Sequence, residues 1–137
     1  MNRVVDNTKP KEIIAFENKI LEDAKRLNIN PISFYYRKKK VKKRVRDFFG
    51  FRLILDSKET CLFFGKFILE HYEVVQNRYR DYISKPWKDG YQSIHIDLTF
   101  QLIPVELQLR TEEMEKISEN LKKKKGEYYW RTEKELK

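Results

Sequence analysis

Residues 105–110 read Val105-Glu106-Leu107-Gln108-Leu109-Arg110, an alternation of apolar and polar side chains that predicts a β-strand with one buried face. Residues 91–100 alternate in the same way, and Gln101-Leu102 between the two stretches is typical of a tight reversal. We therefore predict an antiparallel hairpin. Its polar faces should adjoin, one formed by Glu106, Gln108 and Arg110 and the other by Tyr91, Ser93, His95, Asp97 and Thr99.

The stretches around this hairpin predict helices and further strands. Apolar residues at helical spacing predict a first helix over about 9–27, which Thr8 can cap and Asn28-Ile29-Asn30-Pro31 ends. A loop then leads into a basic run. Further along we expect a strand over 48–55, a helix over 58–70 capped by Asp56 or Ser57, a strand over 73–80 and a helix over 112–124 capped by Thr111.

This order predicts an α+β fold with a mixed sheet of about four to five strands flanked by helices. The length of 137 residues suits one domain spanning 1–137, with a core over about 31–119 and a C-terminal helix and tail over 112–137. The sequence contains no glycine-rich phosphate loop of the Walker or Rossmann type. Phosphates would therefore have to be held by side chains.

Basic residues dominate the charge of the chain. The formal net charge is +9, and its densest contribution is the run 37–46, which favours an anionic partner. The alternative interpretation is a basic interaction domain, in which the run coats a surface or contacts acidic proteins.

Cysteine usage and hydropathy exclude several classes of protein. Cys61 is the only cysteine, which excludes an internal disulfide, and its apolar neighbours favour a buried, inert thiol. An apolar signal core is absent, and the apolar stretches are far shorter than the ~20 residues of a membrane helix. We expect a cytoplasmic protein that does not enter a membrane.

The polar face of the hairpin has two interpretations. A polar face exposed to solvent (a wet face) is common in antiparallel sheets and would need no functional explanation. The mixture of a carboxylate, an arginine and a tyrosine favours a phosphate site, since these groups can hold a hard cation, clamp phosphate and stack on a base.

Asp47 opens the strand 48–55 and would lie near Glu106 if the two strands are neighbours. Two carboxylates suit Mg²⁺, which takes one or two protein carboxylates together with phosphate oxygens. Asp47 and Glu106 are therefore the predicted metal ligands. The alternative for Asp47 is a salt bridge with Arg44 or Arg46.

Four blocks of sequence occur together in a recognisable order. They are Asp47-Phe48-Phe49-Gly50-Phe51-Arg52, Arg78-Tyr79-Arg80-Asp81-Tyr82-Ile83, Gly90-Tyr91-Gln92-Ser93-Ile94-His95 preceded by Pro86, and Val105-Glu106-Leu107-Gln108-Leu109-Arg110-Thr111. In order and spacing these blocks resemble the RelA/SpoT alarmone synthetase domain, and the resemblance covers about 31–119. The chain looks like a small stand-alone synthetase, a group that includes toxins.

The resemblance implies a nucleotidyltransferase-like sheet and an activity. The family transfers pyrophosphate from ATP to the 3′-hydroxyl of an acceptor, usually GDP or GTP, and some stand-alone members use other nucleotides or the 3′ end of tRNA. It implies Mg²⁺ bound by Asp47 and Glu106, with Glu106 also helping to activate the attacking hydroxyl. A homo-oligomer is a further expectation from the family.

The resemblance also implies roles for other residues. Tyr91 would stack on the acceptor base, in an acceptor site that includes His95, Gln92, Arg78 and Arg80. Arg52 would lie against the donor adenine, opposed by Arg26, in a donor site completed by Lys38, Gln108 and Arg110.

Several positions depart from the family pattern. Arg80 replaces the usual lysine, Trp87 stands where a lysine is common, and Glu115 replaces a frequent histidine. Arg26-Leu27-Asn28 replaces the usual Arg-x-Lys. Because that change affects the donor side, a second hypothesis is a catalytically silent nucleotide- or RNA-binding module of the same fold.

Overall fold

A computed structural model describes residues 9–39 and 48–124 of the chain. In chain order its elements are α1 (Lys11–Arg26), β1 (Ser33–Lys39), β2 (Phe48–Leu55), α2 (Lys58–His71), β3 (Val74–Asp81), β4 (Ile94–Phe100), β5 (Ile103–Thr111) and α3 (Glu112–Lys124). Ser57 caps α2 by accepting a hydrogen bond from the Thr60 amide, and Thr111 caps α3 by accepting one from the Met114 amide.

The strands form one five-stranded mixed sheet in the order β1-β2-β5-β4-β3. β2 and β5 run parallel in its centre, while every other neighbouring pair is antiparallel. A parallel pair needs a long crossover, and the chain between β2 and β5 supplies it through α2, β3 and β4. The predicted α+β class is confirmed.

Two predicted boundaries of the sheet were wrong. The stretch Ser33–Lys39 was expected to be a loop but forms edge strand β1, because Phe34 and Tyr36 pack their rings on Phe51 of β2. β4 begins at Ile94 rather than Tyr91, since the carbonyls of Tyr91 and Ser93 accept hydrogen bonds from the loop before them.

The helix boundaries differ less from those expected. α1 begins at Lys11, with Pro10 in the capping position and no side-chain cap, whereas the predicted cap Thr8 lies outside the described residues. The tail after Lys124 also lies outside them. Among the described residues, no helix combines the length and hydropathy needed to cross a membrane.

The hydrophobic core lies on one face of the sheet. The apolar side chains from Ile94 to Leu98 of β4 and from Val105 to Leu109 of β5 are almost fully buried there. Phe16 of α1 packs on Phe51 and Phe100 at ring distances of 5.1 and 5.3 Å. Burial, aided by Asp56, raises the pKa of the Cys61 thiol in α2 to about 12. A buried and unreactive thiol, as predicted, follows from that shift.

A buried carboxylate ties α1 to the segment before β3. Asp23 is 3% exposed and accepts hydrogen bonds from Tyr72 at 2.6 Å, Arg26 at 2.9 Å and Lys19 at 3.3 Å. Burial and the bond to Asp23 both raise the pKa of the Tyr72 hydroxyl. Three hydrogen bonds therefore compensate for the burial of this carboxylate, as a buried charge requires.

The reversal between β4 and β5 is a two-residue turn, as predicted. Gln101 and Leu102 both have positive φ, at 49° and 69°. Left-handed conformation at both central residues is the mark of a type I′ hairpin, whose twist matches that of the strands. This turn fixes the register in which Asp97 faces Glu106 and His95 faces Gln108.

Candidate active site

The polar face of β5 is buried. Glu106 is 2% exposed, Gln108 4% and Arg110 2%, and His95 on the neighbouring strand is 2% exposed. Groups this polar are buried only when other polar groups surround them. The wet-face interpretation is therefore wrong.

Strand pairing sets the neighbours of these side chains. In β2, Gly50 lies beside Glu106 and Arg52 beside Gln108, so the strand that Asp47 was expected to open is indeed a neighbour of β5. In β4, Asp97 lies opposite Glu106 and His95 opposite Gln108. Asp47 itself lies outside the described residues, and its role stays a prediction.

A chain of polar contacts runs along this face from Glu106 to Arg110. Glu106 Oε2 lies 3.9 Å from His95 Nδ1, and the His95 Nε2 is 2.7 Å from the Tyr91 hydroxyl. Arg110 Nη2 then donates to the Tyr91 hydroxyl at 2.5 Å and to Gln108 Oε1 at 3.1 Å. Four of the predicted site residues thus join Glu106 in one network.

Glu115 extends the network to Arg52. Its two oxygens accept hydrogen bonds from Arg110 Nη1 at 2.6 Å and from Arg52 Nη1 at 2.9 Å. Burial acts to raise the pKa of this carboxyl, but Arg52 and Arg110 outweigh it and the pKa is lowered. The sequence showed Glu115 only as a departure from the family pattern, and nothing in its helical surroundings pointed to two arginines.

Asp97 makes the corresponding pairing on the other side of Glu106. Its carboxylate accepts from Arg78 Nε at 2.7 Å and from Arg80 Nη2 at 2.8 Å. Sequence reasoning put Asp97 on the polar face without giving it a role, although its place opposite Glu106 could have suggested one. The two arginines predicted for the acceptor are thereby held next to the catalytic candidate.

Other predicted residues lie farther from this network. Arg26 pairs with Asp23 and Glu22 on its own helix and is 72% exposed. α1 packs on the apolar face, so the structure does not bring Arg26 beside Arg52, and the predicted pair of arginines around the donor adenine has no support in the described contacts.

Strand register and a hydrogen bond to the backbone place two more predicted residues, Lys38 and Gln92. In β1, Arg37 pairs with Gly50, so alternation puts Arg37 on the face of Glu106 and Lys38 on the opposite one. The sequence assigned donor phosphates to Lys38 and its basic neighbours without separating their faces, because β1 was not recognised as a strand. Gln92 donates from Nε2 to the Ile83 carbonyl at 3.2 Å and fastens the loop before β4.

The oxygen donors near Glu106 suit a magnesium ion. A Cβ at Gly50 would lie 3.8 Å from Glu106 Oε1, so a side chain at position 50 would be in van der Waals contact with this oxygen. Asp97 is already engaged by two arginines. Within the described residues no three ligating side chains cluster together, so Glu106 would contribute a single carboxylate to a metal site here. One carboxylate with phosphate oxygens and water is a usual Mg²⁺ environment.

Comparison with known proteins gives a consistent result. Residues 10–131 match the family model described as the region found in RelA/SpoT proteins. The chain is 32% identical over 94 residues to a guanosine-3′,5′-bis(diphosphate) 3′-pyrophosphohydrolase of Vibrio cholerae, covering 66% of this chain and 13% of the relative. It is 36% identical over 77 residues to the GTP pyrophosphokinase rsh of Brucella ovis, covering 56% of this chain and 10% of the relative.

Solved structures share the fold at lower identity. The crystal structure of small alarmone synthetase 2 from Bacillus subtilis superposes with a TM-score of 0.64 at 20% identity, covering 90% of this chain and 82% of that one. The curated relatives are much longer, and the chain spans only 10–13% of the length of those named above.

Proposed function

The chain belongs to the RelA/SpoT family, and from that premise we propose that it is a Mg²⁺-dependent pyrophosphokinase. It would transfer pyrophosphate from ATP to the 3′-hydroxyl of GDP or GTP, or of a related acceptor such as the 3′ end of tRNA. Two similar proteins support synthesis: one is named a GTP pyrophosphokinase and the other a small alarmone synthetase.

The single observation that carries the proposal is the buried carboxylate of Glu106 between two pairs of arginines. Arg78 and Arg80 meet at Asp97 on one side, while Arg52 and Arg110 meet at Glu115 on the other. Reactions of polyphosphates depend mainly on positioning and on neutralising charge, for which fixed arginines and a carboxylate that can share a cation are suited.

The reaction balances without a protein nucleophile. The acceptor 3′-oxygen bonds to the β-phosphorus of ATP while the bond between this phosphorus and the α–β bridging oxygen breaks, and AMP leaves. The hydroxyl proton passes to a base, for which Glu106 is the candidate, with His95 at 3.9 Å beside it. Bound Mg²⁺, held by Glu106 and in this proposal by Asp47, would supply charge neutralisation on phosphate oxygens.

The two sides of the face suit different ligands in this proposal. Arg52, Arg110 and Gln108 would hold the donor, and Arg78, Arg80 and His95 the acceptor. Arg37, on the face of Glu106, is a further cation for donor phosphates. Assembly into a homo-oligomer remains a proposal from the family.

The test is release of AMP by the pure protein incubated with ATP, Mg²⁺ and GDP, GTP or deacylated tRNA. We expect AMP and a pyrophosphorylated acceptor, and a loss of about 100-fold or more in Glu106→Gln, since acid–base groups contribute roughly 10²–10⁴-fold. Glu70→Gln is the matched control, because Glu70 is exposed on α2.

Absence of AMP with every acceptor would refute the proposed pyrophosphokinase activity. If nucleotide or tRNA still bound without turnover, the silent binding module would be the better interpretation. The engagement of Arg52 and Arg110 by Glu115 is the observation that favours this second candidate, because it occupies donor-side hydrogen-bond groups.

A further inference from the structure

Arg110 is the fixed end of the bridge that Glu115 makes between two arginines. Its Nε donates to Ser93 Oγ at 3.3 Å, and its Nη2 donates to the Tyr91 hydroxyl. Tyr91 is fully buried, with its ring 5.9 Å from the ring of Trp87 in the loop between β3 and β4. Since the Arg110 side chain is itself only 2% exposed, a ligand could not draw it away without breaking these bonds.

Arg52 is held less firmly at the other end of the bridge. Its Nη1 donates to Glu115 Oε2 at 2.9 Å, and the two side chains are 19% and 21% exposed. Its Cζ lies 5.8 Å from the ring centroid of Tyr35, a half-exposed residue of β1. These two contacts lie near the surface and do not enclose the guanidinium as the partners of Arg110 do.

The Nε of Arg52 is buried and, within the described residues, makes no hydrogen bond. A buried donor without an acceptor is costly, and folded proteins contain few of them. Once the side chain turns towards a phosphate, two oxygens of that group can accept from Nε and Nη together, which is the geometry that arginine favours with oxyanions. The bond to Glu115 is therefore not the best pairing open to Arg52.

The strand register places Arg52 within reach of the phosphates of a donor. Arg52 is the Cα partner of Gln108 in β5, and Gly50 is the partner of Glu106. Residues two apart on a strand share a face and are about 7 Å apart. Arg52 therefore projects from the face of Glu106, one residue pair further along the sheet.

Glu115 is held in place by its own helix. It lies in the first turn of α3 with Glu112 and Glu113, where the helix dipole favours negative charge. Its pKa is lowered by the two arginines, so the carboxylate is charged at neutral pH. The helix thus presents a fixed anion to Arg52 in the absence of a ligand.

We propose that Glu115 competes with the donor for Arg52: it holds Arg52 on α3 until a phosphate group of ATP takes its place. Arg110 keeps its position and adds a fixed positive charge beside the donor. Because ATP binds fully only when Arg52 is released, the apparent affinity falls with the fraction of molecules in which it is held. Glu115 acts through Arg52 and is a positioning residue, and the inference rests on the proposed function for the identity of the donor.

Binding without turnover tests the competition. Isothermal calorimetry of the full chain with ATP and Mg²⁺, in the absence of an acceptor, gives the affinity. Glu115→Gln should bind ATP about fivefold more tightly or better, since coupling between two sites is usually fivefold or larger. Glu113→Gln, at an exposed position in the same turn, removes the same charge and should leave the affinity unchanged. Inorganic tripolyphosphate, which has no base, should show the same difference.

A second variant and a double-mutant cycle show whether Arg52 carries the effect. Glu115→His introduces the residue that is frequent in the family and should also tighten the binding of ATP. In an Arg52→Gln background, Glu115→Gln should give no gain, because there is no guanidinium to release. A gain that persists there would mean that Glu115 only repels phosphate, and would refute the competition.

A purely structural bridge between α3 and the sheet would give a different result. Glu115→Gln would then lower both the free energy of unfolding and the affinity for ATP. We expect lower stability together with tighter binding, and a lower KM for ATP with an unchanged KM for the acceptor. Thermal melting followed by circular dichroism checks that the variants are folded.

Two outcomes would overturn the inference. They are unchanged or weaker ATP binding in both Glu115→Gln and Glu115→His, and a gain for ATP that is missing for tripolyphosphate. Pyrophosphate transfer with unchanged ATP affinity in these variants would refute the competition and leave the proposed function standing. Tighter ATP binding without transfer to any acceptor would do the reverse.

Discussion

The two faces of β5 are equally buried, but different interactions compensate for the burial. Val105, Leu107 and Leu109 are at most 1% exposed within the apolar core, while the alternating Glu106, Gln108 and Arg110 are at most 4% exposed. The apolar face gains free energy from removing hydrocarbon from water. The polar face exchanges hydration for fixed partners such as the Tyr91 hydroxyl and Glu115.

The difference shows how one strand can serve stability and chemistry at once. A well-packed apolar face tolerates no loss of volume, because the remaining cavity is filled only in part. A polar network instead depends on each charge having its counter-charge, since an unpartnered buried charge is costly. Neighbouring positions on the strand should therefore fail in different ways when they are changed.

The largest expected effect is a loss of stability on the apolar face of β5 that is not matched on its polar face. Leu107→Ala should lower the free energy of unfolding by about 2–5 kcal/mol, because it removes fully buried methyl groups. Glu106→Gln, one position away, keeps its volume and should change the free energy of unfolding less while it removes activity. Urea unfolding followed by circular dichroism measures both. An equal loss in the two variants would mean that Glu106 serves mainly the fold.

A smaller effect is expected at Asp97, where one carboxylate holds two arginines. Asp97→Asn keeps the shape but removes the charge, and should cost about 1–3 kcal/mol of stability, as hydrogen bonds to charged groups do. Because Arg78 and Arg80 then lose their common anchor, the KM for the acceptor should rise more than the KM for ATP. Asp56→Asn, at an exposed position, is the matched control. Equal changes in both KM values would argue against separate donor and acceptor sides.

The smallest expected effect is the pH dependence contributed by Glu115. Its pKa is lowered in the folded protein, so the stability it contributes is present above the ordinary glutamate pKa of about 4.3 and is lost as the pH falls through the folded value. Lowering the pH from 6 to 3 should therefore decrease the free energy of unfolding more in the unchanged protein than in Glu115→Gln. Unfolding measured at each pH in both proteins checks this. Parallel curves for the two proteins would contradict the charged bridge to Arg52 and Arg110.

The sequence predicted most of the fold because hydrophobic spacing is a local signal. The alternation around Leu107 identified β5 and its partner, and Gln101-Leu102 identified the turn between them. Edge strand β1 was missed because it ends in the basic residues Arg37 to Lys39, and only its contacts with Phe51 reveal its apolar face. These contacts join residues that are distant in the chain, so the local sequence pattern does not reveal them.

The candidate site was predictable only in part for the same reason. Alternation brought Glu106, Gln108 and Arg110 together with the adjoining His95 and Tyr91, and the motif blocks added expected roles for them. The arginine partners of Asp97 and Glu115 were not predicted, because they lie 17 or more residues away in the chain or on another element. The burial of Tyr91 beneath Trp87 likewise depends on how the loop folds.

β3 is an edge strand of the described sheet, and its irregularity also affects how chains meet one another. Its pairing with β4 shifts between Val74 and Tyr79, and Asn77 within that stretch has a φ of 64°. Open edges invite strands of other molecules to add to a sheet and start aggregation, and bulges with charged residues are the usual protection. The irregular pairing around Asn77 interrupts the row of backbone groups that an added strand would need, and it thereby protects the sheet against growth from this edge.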